Sequence, residues 1–168
     1  MKIFIVASWI SGSFAAIGIS VGWILETQNE SERIKCLAHA RGLAQVIVNS
    51  RKIYSDCRSE NDPLPIEFAR RIMNSINGAS ISIYSKYPFS SNKTGGLSQD
   101  TRRLKAWDAL VNKQQKEYVN STGGILQLAI PDIMSNSCIE CHNNHPETPK
   151  SDWKVGDIRG ILDVRIRY

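Results

Sequence analysis

No stretch of this chain carries five like charges in a row, no segment repeats another, and none is of low complexity. The first absence removes the basic stripe with aromatic platforms that nucleic acid needs, so no nucleic-acid partner is expected. No phosphate loop, nucleophile triad or paired-carboxylate pocket can be picked out, and no enzymatic activity is expected. Cysteine and histidine are scarce, four and three in 168 residues. Where they fall is therefore informative.

The formal charge is +5, and only Lys2 contributes to it before Glu26, so the remainder is mildly basic. Its length fits one domain able to bury a core without staples. The missing charges leave "IFIVASWISGSFAAIGISVGWIL", Ile3 to Leu25, without an ionisable group. At about 1.5 Å per residue this run can cross a hydrocarbon layer of roughly 30 Å. Ser13-Phe14-Ala15 could serve as a signal cleavage site, but the apolar run continues ten residues beyond it, which favours an uncleaved anchor. Lys2 before the span, with Glu26, Glu30 and Glu32 after it, places the body of the protein on the extracytoplasmic side. Residues 1–25 are expected to form a transmembrane signal anchor and 26–168 one extracytoplasmic domain, in the inner membrane facing the periplasm, or the thylakoid lumen in a cyanobacterium. Gly18 and Gly22 could pair such helices into a homodimer. Ordinary small residues in a span are the plainer reading.

Beyond the span, "ETQNESERIKCLAHARGLAQVIVNSRKIYSD" predicts one long helix, with Cys36, Ala40, Leu43, Ile47 and Tyr54 on a single stripe. A second helix is predicted over Pro65 to Asn77, stopped by Gly78. "ASISIYSKY" alternates as a strand, Ser98 is expected to cap a third helix running to about Lys113, and "GGILQLAIP" and "IRGILDVRIRY" predict further strands. In the last of these, Leu162, Val164, Ile166 and Tyr168 face one way and Asp163, Arg165 and Arg167 the other. This order predicts an α+β domain with an antiparallel sheet.

Half the cysteines and two of the histidines crowd into "SNSCIECHNNHP". Cys138, Cys141 and His142 make a Cys-x-x-Cys-His sequence. That spacing lets two thiols add to the vinyl groups on neighbouring haem pyrroles while the next imidazole reaches the iron. Zinc on Cys138, Cys141, His142 and His145 is the alternative, but structural zinc normally clips two ligand pairs separated by a dozen or more residues. A Cys138–Cys141 redox disulfide would leave the histidine without a purpose. One covalently bound haem c is the favoured reading.

The wider block "CIECHNNHPETPKSDWKVGDIRGILDV" resembles the signature of the PAS-like, covalent c-haem domains. These include stand-alone cyanobacterial c-type cytochromes and the sensor regions of histidine kinases and adenylate cyclases. "AQVIVNSRKIY", "PLPIEFARRI" and "SISIYSKYPF" are similar to that family's N-terminal helices and first strand, in order. The resemblance spans about residue 35 to the end and implies a PAS-like sheet with a long N-terminal helix. It also implies a cysteine thiolate from the helical region as second iron ligand. Cys36 and Cys57 both match. They cannot easily be bridged if the helix is continuous, since 21 residues span about 31 Å. Cys36 lies on the apolar stripe and is the expected ligand, with Cys57 or His39 as alternatives and a small buried hydrophobe as its bland role. Trp153 could cover the ring, and Arg159, Lys150 or Lys154 could meet its propionates, against ordinary surface or sheet duty. His145 is expected to sit at the haem edge.

A thiolate holds ferric iron and lowers its potential. The expected function is thus a membrane-anchored sensor of redox state or of a diatomic gas. A low-potential electron carrier is the second expectation, and a zinc-stabilised interaction domain the remote one. Any signal would pass to a redox or signalling protein partner or through the membrane helix.

Overall fold

The computed structural model describes residues 10–59, 61–90, 95–97 and 100–168, with side chains from residue 26 onward. The predicted anchor over residues 1–25 falls outside the described side chains, as does Ser98. Among the described residues, no helix is long and apolar enough to cross a membrane. The chain divides into two units, Met1–Lys35 and Cys36–Tyr168. In the first, Arg33 pairs with Glu30 at 2.7 Å and Lys35 with Glu32 at 2.9 Å. Such exposed i, i+3 pairs are screened by solvent and add little to the helix.

The second unit is α+β, as expected. Helix α1 spans Ile10–Cys57, of which Cys36–Cys57 belongs to this unit, and α2 spans Pro65–Ser75, ending before Gly78 at φ 80°. Proline at the first turn of α2 costs no hydrogen bond there, because that N–H has no helical partner. Strand β1 is Ala79–Tyr84. Helix α3, Thr101–Trp107, is capped by Asp100, whose carboxylate accepts from the Arg102 N–H at 2.9 Å. A π-helical turn, Asp108–Asn112, continues it. Strands β2, Tyr118–Thr122, and β3, Ile125–Ile133, follow, then α4, Asn136–Asn144, and β4, Ile158–Arg167. The sheet is antiparallel throughout in the order β1-β4-β3-β2.

Two features depart from the sequence reading. Strand β2 was not predicted, because "EYVNST" lacks the apolar alternation that marks a half-buried strand. Its partner is specified instead by the turn: Gly123 and Gly124, at φ 63° and 69°, supply the two left-handed residues a tight hairpin needs. The Cys/His cluster, in the connection before the last strand, was given no element in the sequence reading and forms the nine-residue helix α4.

One sheet face is the apolar row Leu126, Leu128 and Ile130 of β3 with Leu162, Val164 and Ile166 of β4. It packs on Ala40, Ala44 and Ile47 of α1 and Met73 of α2. The other face carries Tyr84, Ala129 and Ile161 under Ala106, Trp107 and Leu110. Burying side chains of this size is worth about 1.5–3 kcal/mol each, so both layers hold the sheet. Strand β3 runs past its neighbour: β2 pairs only with Ile125 to Ala129, while Pro131 lies beyond that limit.

Gly160 on β4 is fixed by proximity. A Cβ there would lie 2.8 Å from the Tyr84 carbonyl oxygen on β1. Gly160→Ala is expected to lower stability by about 1–3 kcal/mol through overpacking. A shift of the urea midpoint without a change in slope would measure it.

Candidate functional site

The two rows that build the core end in charges, and these charges meet. Along α1 the buried stripe Ala40, Ala44, Ile47 continues to Arg51, and along β3 the row Leu126, Leu128, Ile130 continues to Asp132. Arg51 Nη1 donates to Asp132 Oδ2 at 2.9 Å, and its Nη2 donates to Oδ1. On the same carboxylate, Arg159 Nε donates to Oδ2 at 2.9 Å. Asp132 is 4% exposed. Burial pushes its pKa up, but the guanidiniums of Arg159 and Arg51 outweigh that and hold it down to about 2. Two cations on one carboxylate leave an excess positive charge at the floor of the site. A bulge between Asp132 and Ile133 marks the end of the regular ladder there.

Above this triad, α4 presents its chemistry. Cys138, Cys141 and His142 stand at i, i+3 and i+4, so one helical face carries all three. Arg159 Nη1 lies 3.1 Å from His142 Nε2. A guanidinium can only donate, so Nε2 accepts and the proton sits on Nδ1. Burial, with the Arg159 charge next, lowers the His142 pKa to about 4. The ring is therefore neutral with its lone pair on Nε2, the form that ligates metals. Burial also pushes the Cys138 thiol up, but the Arg159 charge and hydrogen bonds from Ser135 bring it below its ordinary value. That favours the reactive thiolate.

These residues border a cavity of about 670 Å³, within the range of roughly 300–1,000 Å³ usual for small-molecule sites. Val48, Arg51, Lys52 and Ser55 of α1 line one wall, and Phe89 and Trp153 line another. Trp153 is held between the two ends of the Asn143 amide: its N–H donates to Oδ1 at 2.9 Å, and Nδ2 donates to its carbonyl at 3.1 Å. Phe89 stacks on His145 at 4.6 Å and leans on His142 at 5.0 Å. Lys52, Arg58 and Arg70 add cationic lining.

The predicted Cys138, Cys141, His142, Trp153 and Arg159 thus come together around one space. Cys36 does not join them. It packs on the apolar core, and the 15 positions from it to Arg51 span about 22 Å of helix. His39 is exposed. Cys57, also exposed, comes six residues after Arg51, about 240° around the helix and away from the lining face. His145 is outside the cavity lining, where its ring lies on Phe89 and its Nδ1 accepts from the Glu147 N–H at 3.2 Å. Among the described residues, no three His, Cys, Asp or Glu side chains gather as a metal cluster, and all four cysteines are free thiols. Lys150 sits over the Trp153 ring at 4.7 Å, and the Lys154 N–H donates to Asp157 at 3.0 Å.

Arg51, Asp132 and Phe89 escaped the sequence reading. A charged residue in register with a buried helical stripe, and another closing an apolar strand row, were the available signals.

Fold and site together define an α+β domain whose Cys-x-x-Cys-His helix faces a cation-lined cavity. The chain belongs to the Tll0287-like family, whose model matches residues 28–167. Its fold is similar to the crystal structure of the cyanobacterial heme-protein Tll0287, with a TM-score of 0.53 at 16% identity, over 79% of this chain and 92% of that one. No curated protein matches the chain.

Proposed function

We propose that the chain is a c-type haem protein, with porphyrin joined through the sulfurs of Cys138 and Cys141 and iron held by His142 Nε2. The observation that carries this reading is the single α4 face bearing all three groups toward a cavity of suitable size. The donor set fits: two thiols at the spacing of vinyl groups, a neutral imidazole, aromatic walls, and surplus positive charge for the acid groups of the ring. When bound, the haem would supply a redox-active iron. Trp153 and Phe89 exclude water from one side, Asp132 fixes Arg159, and Arg159 must release Nε2 for a metal to take it. A pyridine haemochrome spectrum with intact mass after denaturation tests the assignment. A bare polypeptide from a strain able to mature cytochromes c would end it.

Sensing of redox state or of a small diatomic gas fits the lining best. Beyond α4, the described cavity residues include no methionine, cysteine or second histidine, the side chains that would close the iron's other position in a committed electron carrier. Carbon monoxide is expected to bind the ferrous protein and shift its Soret band. A carrier with both positions filled would resist it. Cys36→Ser is expected to leave the ferric spectrum unchanged, and a changed spectrum would restore Cys36 as ligand. An N-terminal membrane anchor, an extracytoplasmic position, a redox or signalling partner and the absence of enzymatic turnover complete the reading, resting on the apolar run Ile3 to Leu25 and the missing catalytic constellations.

A further inference from the structure

Between α2 and β1 the chain bends at Asn77 and Gly78. The backbone demands the glycine. Its φ of 80° is left-handed, and a Cβ there would meet no atom within 4 Å, so conformation rather than crowding selects it. Nothing comparable demands the asparagine. Asn77 is exposed, and among the described residues neither its side-chain amide nor the Gly78 N–H has a hydrogen-bond partner. Amides elsewhere are held in place. Asn143 is tied at both ends by the Trp153 backbone, Asn144 Nδ2 donates to the Glu140 carbonyl at 2.9 Å, and Asn112 Nδ2 donates to Asp108 at 2.9 Å.

These two residues are the one Asn-Gly pair in the chain. Such a pair carries a chemistry of its own. The side-chain carbonyl carbon lies within five-membered-ring reach of the next peptide nitrogen, and glycine has no Cβ to block the approach. The bend leaves that nitrogen outside any helix or strand ladder and open to water.

We propose that Asn77–Gly78 is a self-modification site whose only co-reactant is water. The Gly78 nitrogen, giving its proton to solvent base, attacks Asn77 Cγ. A C–N bond forms, the Cγ–Nδ2 bond breaks, and the side-chain nitrogen leaves as ammonia with a proton from solvent. One water then opens the cyclic imide. Opening at Cγ leaves an aspartyl residue, and opening at the backbone carbonyl leaves an isoaspartyl link. No electrons are gained or lost. Either product puts a carboxylate just past the C-terminus of α2, whose last turn holds no basic residue and whose dipole disfavours negative charge. The isoaspartyl form also adds a backbone carbon just ahead of β1, where Ala79 pairs with Ile166. Its free carboxylate is the substrate class of an isoaspartyl methyltransferase. The inference does not depend on haem binding.

Storage of the folded full chain in mildly alkaline buffer tests it. Trypsin releases Ile72–Lys86, which contains both Asn74 and Asn77, and fragmentation distinguishes them. A gain of about 1 Da is expected at Asn77, with ammonia release and methyl labelling by an isoaspartyl methyltransferase. Asn74 should stay unmodified, because α2 keeps the Ser75 N–H in its helical ladder. The exposed-site variant N77Q should fold with an unchanged melting temperature and slow the gain at position 77 about tenfold or more, since its longer side chain closes only a six-membered ring. A gain confined to chain unfolded in urea, an equal gain at Asn74, or an undiminished rate in N77Q would each overturn the proposal.

Discussion

Serine at both Cys138 and Cys141 is expected to give a protein whose denatured mass is that of the bare 18.8 kDa polypeptide, without pigment after acid–acetone extraction. Each sulfur can form one thioether, so either single substitution should keep covalent pigment and only the double should lose all of it. Replacing His142 by Ala acts differently. Attachment should persist, because the sulfurs remain on the α4 face, while the ferric spectrum should become that of iron without its imidazole. Mass spectrometry with ferric spectra on these four variants separates the roles. Covalent pigment in the double variant would remove the assignment of the two thiols.

Asp132→Ala is expected to cost about 3–5 kcal/mol, the range for leaving a buried charge without its partner. Here two guanidiniums would be stranded, Arg51 and Arg159, with side chains only 11% and 14% exposed. Arg159 would also lose the anchor that aims it at His142. Urea denaturation of the variant beside the parent measures the loss. The same carboxylate gives an acid signature. Its folded pKa, held down to about 2, lies below the ordinary value near 3.9. The unfolded chain therefore binds the extra proton first, and stability rises with pH across this window. The contribution, about 2 kcal/mol, is fully present above pH 4 and lost as pH falls through 2. In Asp132→Ala that part of the acid dependence should vanish. A variant as stable as the parent, with unchanged acid unfolding, would show that the triad does not hold the site.

What could be read from sequence was whatever repeats with the period of an element. The α1 stripe, the β4 alternation and the Cys-x-x-Cys-His spacing are such signals, and the structure places them as their periods require. Cys36 shows the limit. Its place on the stripe said correctly that it faces the domain, but not which part, and the stripe leads into the apolar core well before it reaches the cavity. Only the pairing of Arg51 with Asp132, 81 positions apart, says where the cavity begins, and no local pattern carries that. Asp163 is similar. It alternates away from the apolar face as expected, but its carboxylate is buried among Gln127 of β3 and Tyr84 of β1, partners from other strands that β4 itself does not announce.

Pro131 has an outcome for the protein in crowded solution. Where β3 outruns β2, its open side would otherwise template a strand from another molecule and seed aggregates. A residue with no N–H interrupts that ladder at its second rung beyond Ala129. Replacing it with threonine should leave each monomer folded while making concentrated samples self-associate.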